Sequence, residues 1–119
     1  MHDEPTSGCR APGASDPGLC PRFHQAVELI GRRWTGAIIQ VLMPGARRFN
    51  ELLAAIPGIS DRLLTERLRE LESQGIVGRE VQSGSPVRVT YRLTERGSDL
   101  NEALASLGRW AERWMAIET

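Results

Sequence analysis

Residues 50–76, NELLAAIPGISDRLLTERLRELESQGI, read as two short helices joined by a tight turn. Pro57 biases the residue before it away from helical backbone angles, and Gly58 can take the left-handed conformation that ends a helix. The second helix is predicted to restart at Ser60, whose hydroxyl can accept from a free backbone N–H of the next turn. Asp61 adds negative charge where the helix dipole favours it. The helix should run to about Gln74, with Gly75 as its stop. Leu64, Leu68 and Leu71 recur along it as one apolar stripe for a core, while Arg62, Glu66, Arg69 and Ser73 fall on the opposite side and Asp61 and Thr65 on the flank. A mixed-charge face is ordinarily a solvated surface. Here it belongs to a helix, a glycine-containing turn, a second helix and then a strand pair, the organisation of DNA-binding winged helices, whose second helix lies in the major groove.

Working outward, Arg47, Arg48 and Phe49 read as a very short strand and Asn50 as the cap of the first helix, with Leu52, Leu53 and Ile56 on its buried side. Downstream, Ile76–Gln82 and Val87–Leu93 read as strands. In the second, Val87, Val89, Tyr91 and Leu93 alternate with Arg88, Thr90 and Arg92, the pattern of a half-buried strand. Ser83, Gly84, Ser85 and Pro86 leave room only for a hairpin turn, the candidate wing, with Arg88 near its tip. Upstream, Val27, Ile30, Trp34, Ile38 and Val41 repeat as a core-facing helical surface does. Gly31 and Gly36 favour two helices, about 22–31 and 34–43, over one, and Pro44 and Gly45 close the second. Thr94 is the expected cap of a final helix bearing Leu100, Leu104, Leu107, Trp110, Trp114 and Ile117. That helix carries surplus apolar surface, which either completes the core of one chain or buries against a second subunit. The second reading is preferred and makes Leu104, Leu107, Trp110 and Trp114 the dimer interface.

With 119 residues and 40% hydrophobic content, the chain suits a single small domain. Residues 1–19, rich in Pro, Gly, Ser, Asp and Glu without apolar period, are expected to form a flexible arm ahead of a domain at 20–119. Fifteen basic residues, all arginine, cancel fifteen acidic ones. The distribution is uneven, because residues 21–96 hold twelve arginines against eight acids, a balance of +4, between two ends that are each 2 negative. A central arginine excess suits a local phosphate-binding patch. No apolar run is long enough for a membrane helix, the N-terminus does not read as a secretion signal, and two cysteines, Cys9 and Cys20, are too few to staple the domain. These features predict a cytoplasmic protein without membrane contact.

Nothing offers a nucleophile, a base and an orienting group at a motif-like spacing, and there is neither a Gly-rich phosphate loop nor an HExxH pair, so catalysis is not expected. The set Cys9, Cys20, His24 and His2 matches no common zinc spacing, and neither a metal nor another cofactor is expected. Cys20 precedes the first helix, beside Pro21 and close to Arg22, where a thiolate is stabilised by the helix N-terminus and a cation. It is the candidate redox sensor, the alternative being a small packing residue with an ordinary thiol. Cys9 is near enough in sequence to form a loop disulfide with Cys20 or to reach across a dimer.

The chain resembles the HxlR-type winged-helix transcriptional regulators of bacteria and archaea, a MarR-like group, over residues 20–115. The resemblance is carried by Cys20-Pro21, IGRRW at 30–34, RFNELLAAIPGIS at 48–60, LTERLRELESQGIV at 64–77 and VRVTYRLTERG at 87–97, in that order. It implies an α+β fold, a winged helix-turn-helix with additional N- and C-terminal dimerisation helices. It also implies a homodimer acting on double-stranded DNA, with a recognition helix at Ser60–Gln74 and a wing around Ser83–Arg88. Ser60, Asp61, Arg62, Thr65, Glu66 and Arg69 would then sit in or beside the major groove. Arg62 and Arg69 stand first as base or phosphate contacts, each with the alternative of a surface ion pair to Glu66 or Glu70, and Arg88 is the wing contact. Some members of the group use a cysteine at the position of Cys20 to respond to oxidants or electrophiles. The arm before Cys20 lies outside the family pattern, and the operator, the sign of regulation and any small-molecule effector stay open. The alternative function is a winged-helix module that contacts only protein, which the arginines of the recognition face and wing argue against.

Overall fold

The computed structural model describes residues 18–117, which fall into two compact units divided between Thr35 and Gly36. In the first unit, helix α1 spans Pro21–Ile30. Cys20 is its N-cap in extended backbone, and its Sγ accepts the Phe23 backbone N–H at 3.3 Å. Pro21 follows where its missing N–H costs no helical bond. No residue of α1 is buried, and Val27, expected on a core face, is 44% exposed, with Phe23, one turn earlier, exposed further still. The period predicts a core-facing surface, yet no side chain of α1 is buried, because apolar spacing reports amphipathicity and not a partner. Gly31 ends the helix as expected. Trp34, with φ +77°, holds left-handed backbone that L-residues rarely adopt. That conformation is why the next helix starts after Trp34 rather than on it.

Helix α2, Thr35–Leu42, starts on the last residue of the first unit and otherwise belongs to the second; its Ile38, Ile39 and Leu42 are buried and Val41, expected inside, is only half-buried. Strand β1 is Arg47–Arg48 and helix α3 is Phe49–Ala55. The cap of α3 is Arg48 rather than Asn50: the Glu51 carboxylate accepts the Arg48 backbone N–H at 2.8 Å and so fixes the start of the helix two residues early. Leu52 and Ile56 are buried as expected. Gly58 turns the chain at φ +93°, and α4 runs Asp61–Ser73, with the Ser60 hydroxyl accepting the Leu63 N–H at 3.1 Å. Leu64, Leu68 and Leu71 are buried along its inner side. Each such side chain is worth roughly 1.5–3 kcal/mol of burial, enough to pin the helix and commit its other face to solvent.

Gly75, at φ +75°, reverses the chain into β2, Val77–Gln82, which pairs antiparallel with β3, Arg88–Leu93. The sheet order is β1-β3-β2, with Arg47 and Arg79 both opposite Tyr91. The last rung is Gln82 opposite Arg88, so the hairpin loop is 83–87 and the exposed Val87 belongs to the turn, not to the strand. Thr94 then caps α5, Glu95–Trp114: its hydroxyl accepts the Gly97 N–H at 3.1 Å and donates to the Gly75 and Ile76 carbonyls. Gly97 is buried so close to the Ile76 carbonyl that a β-carbon would collide with it. The second unit is therefore a winged helix, with α3 and α4 as the helix-turn-helix and β2–β3 as the wing.

Candidate nucleic-acid interface

The leucine stripe of α4 turns Ser60, Asp61, Arg62, Glu66 and Arg69 outward, all exposed, with Thr65 half-buried among them. Their chemistry differs. The Ser60 hydroxyl is used as an acceptor by the helix cap, which leaves its own proton for an outside partner. Thr65 donates its proton to the Asp61 carbonyl at 2.8 Å and so presents its methyl and lone pairs. Arg62 Nε lies 3.4 Å from Glu66, the surface pair weighed in the sequence, with the arginine side chain 89% exposed. An exposed pair of this spacing is worth about 0.3–0.5 kcal/mol, so a base edge or a phosphate can displace it. Glu70 pairs instead with Arg67, at 3.6 Å. The Arg69 side chain has no ion pair or hydrogen bond among the described residues.

On the wing, Ser83, Gly84, Ser85 and Pro86 are exposed, and Arg88 stands at the rung nearest the tip, opposite Gln82. The hairpin register also gathers residues that the sequence did not single out. Directly opposed residues of an antiparallel pair share a face, so Arg47, Tyr91 and Arg79 form one row across the three strands. Between that row and α4 lies a cleft of about 330 Å³ lined by Thr65, Leu68, Arg69, Glu72, Arg79 and Tyr91.

The residues read as a dimer interface lie along α5. Leu104 is half-buried, whereas Leu107, Trp110 and Trp114 are more than half exposed, the tryptophans at 54% and 65%. Arg113 lies over the Trp114 ring at 5.2 Å. Cys20, in the first unit, is disulfide-bonded, and Cys9 lies outside the described residues. Of the metal set considered above, His2 and Cys9 also lie outside them, His24 is 3.7 Å from Glu28, and no group of three or more metal-binding side chains occurs among the described residues. No described helix is long and apolar enough to cross a membrane.

A family model described as HxlR-like helix-turn-helix matches residues 29–119. The chain is 43% identical over 97 residues to the HTH-type transcriptional regulator YvaP of Bacillus subtilis, covering 82% of this chain and 90% of that protein. It is 45% identical over 96 residues to the regulator YodB of the same organism, covering 81% and 86%. The structure of reduced YodB superposes with a TM-score of 0.76 at 42% identity, over 85% of this chain and 99% of that one. The redox regulator HypR in its oxidised form gives 0.75 at 36% identity, over 81% and 99%.

Proposed function

This chain belongs to the HxlR-like helix-turn-helix family and is a transcriptional regulator of that type, and we propose that it acts as a homodimer on a pseudo-palindromic operator. The observation that carries the reading is the outward face of α4, where Ser60, Arg62 and Arg69 stand beside a hairpin with Arg88 near its tip. A helix of this size fits the major groove, arginine is suited to the paired acceptors of guanine and to phosphate, and the wing reaches the neighbouring backbone. Asp61 and Glu66 repel phosphate and so favour register over unspecific adhesion. The exposed Leu107, Trp110 and Trp114 support α5 as the surface for a second copy, and the exposed Phe23 and Val27 give α1 an apolar surface of its own. Two-fold protein symmetry then asks for two half-sites about one helical turn apart or a multiple of it. No catalytic step enters this reading, and the site of action is the cytoplasm.

The signal we infer is redox. YodB and HypR are relatives described in reduced and in oxidised or diamide-treated forms, and here the cysteine that caps α1, Cys20, is disulfide-bonded. The test of the regulator reading is selection of bound fragments from genomic DNA, followed by footprinting. Two related protected half-sites are expected. A single asymmetric site held by one monomer, or no binding even at low salt, would overturn it.

A further inference from the structure

We propose that the cleft between α4 and β2 is an oxyanion site that receives a phosphate group. Arg69 and Arg79 line it from the helix and from the strand, and neither side chain has an ion pair or hydrogen bond among the described residues. Two guanidiniums at one concavity give it a positive field that an anion can occupy. Each presents a planar fork of donors matched to the oxygens of a phosphate. Tyr91 lies at the same cleft with a phenolic hydroxyl able to donate a third hydrogen bond, and the buried Leu68 supplies an apolar wall. The Thr65 hydroxyl proton is engaged by the Asp61 carbonyl, so the donors are the two arginines and the tyrosine.

Glu72 opposes the anion. Its carboxylate lines the cleft and reduces the attraction. The two arginines outnumber it and leave the cleft net positive, which attracts a doubly charged phosphate more strongly than a singly charged carboxylate. A backbone phosphate of DNA and a small phosphate-bearing molecule share this chemistry. The first source rests on the regulator reading, while the second does not.

The experiment titrates inorganic phosphate into the full chain at ionic strength held constant with chloride. The ring NMR signals of Tyr91 are followed, and they identify themselves because the chain has a single tyrosine. A saturable shift is expected. Arg79→Gln should raise the half-saturation concentration about tenfold, the loss of one charge-assisted hydrogen bond, and Glu72→Gln should lower it. Arg79 is exposed and Glu72 half-buried, and wild-type circular dichroism in each variant keeps the comparison valid. No shift, or a shift indifferent to both substitutions, overturns the proposal. Repeating the titration with operator duplex separates the sources: phosphate excluded by bound duplex assigns the site to the DNA backbone, and phosphate still taken up assigns it to a small ligand. Failure of every duplex to bind would sink the regulator reading alone, leaving the phosphate titration to decide the site.

Discussion

Nη1 of Arg96, in the first turn of α5, donates to the carbonyl oxygen of Gln74, the C-cap of α4, at 2.8 Å. The last carbonyls of a helix lack intrahelical partners and carry the negative end of its dipole, so a guanidinium there is favourable on both counts. Thr94 closes the same junction from below, with its hydroxyl on the Gly75 and Ile76 carbonyls. Helix α5 thus begins on the end of α4. Arg96→Ala should lower stability by about 0.5–1.5 kcal/mol in urea denaturation. Gly97→Ala should cost more, about 1–3 kcal/mol, since its new methyl meets the Ile76 backbone. An alanine tolerated at 97 without loss would mean that the α4–α5 junction is looser than described.

The α4 face and the wing should separate in their DNA effects. Arg88→Ala, if the side chain meets phosphate, weakens all sequences alike and reduces the slope of log affinity against log salt by roughly one counterion. Arg62→Ala should cost about 1–3 kcal/mol on operator if the side chain reads a base, with less effect on random DNA, whereas Arg69→Ala, at the phosphate cleft, should weaken both duplexes alike. Mobility shifts on both duplexes across a salt series make the comparison. An unchanged salt slope in Arg88→Ala would remove the wing arginine from the phosphate contacts.

The helix-turn-helix was legible because its signals are local: the Pro57–Gly58 break, the Ser60 cap and the three-leucine stripe each act within one or two turns of chain. The α3 cap was misread because Asn50 is a strong capping residue by type, whereas the start is decided by Glu51 reaching back to Arg48. The hairpin erred by one residue, and that had a consequence for the site. A turn of 83–86 would place Arg79 opposite Thr90, while the observed loop of 83–87 places it opposite Tyr91. A one-residue slip exchanges the faces of a strand, so the row Arg47, Tyr91, Arg79 could not be read before the loop length was known. Likewise, the period of α1 announced an apolar face without saying whether its own chain covers it, since periodicity reports amphipathicity and not the partner.

Because Trp110 and Trp114 are more than half exposed in the single chain, their replacement should cost the monomer little while removing large apolar area from a dimer. Trp110→Ala with Trp114→Ala is expected to sediment as a folded monomer with wild-type circular dichroism. Operator affinity should fall with the dimer, because one subunit holds only one half-site. A double variant that stays dimeric would place the subunit contact elsewhere than α5.

The redox role proposed for Cys20 has a clean test, because its sulfur also caps a helix. Its Sγ accepts the Phe23 N–H at 3.3 Å, and serine is among the best residues at such a position, so Cys20→Ser removes the redox chemistry while keeping the start of α1. When the disulfide is reduced, the freed sulfur sits at a helix N-terminus, where the thiolate form, the one that attacks oxidants and disulfides, is favoured. Oxidation alters DNA binding only if the oxidised chain fits the DNA-bound geometry less well, or better, than the reduced chain does. A bond compatible with both states shifts no equilibrium between them. The measurement is operator affinity of wild type and Cys20→Ser, each reduced, then treated with diamide, then reduced again, with non-reducing gels alongside. Wild type should change about tenfold on treatment and recover with reductant, a coupling of roughly 1.4 kcal/mol. Cys20→Ser should hold one affinity throughout. An equal response in both proteins, or none in either, would take Cys20 out of the mechanism and return the search for the signal to the rest of the chain.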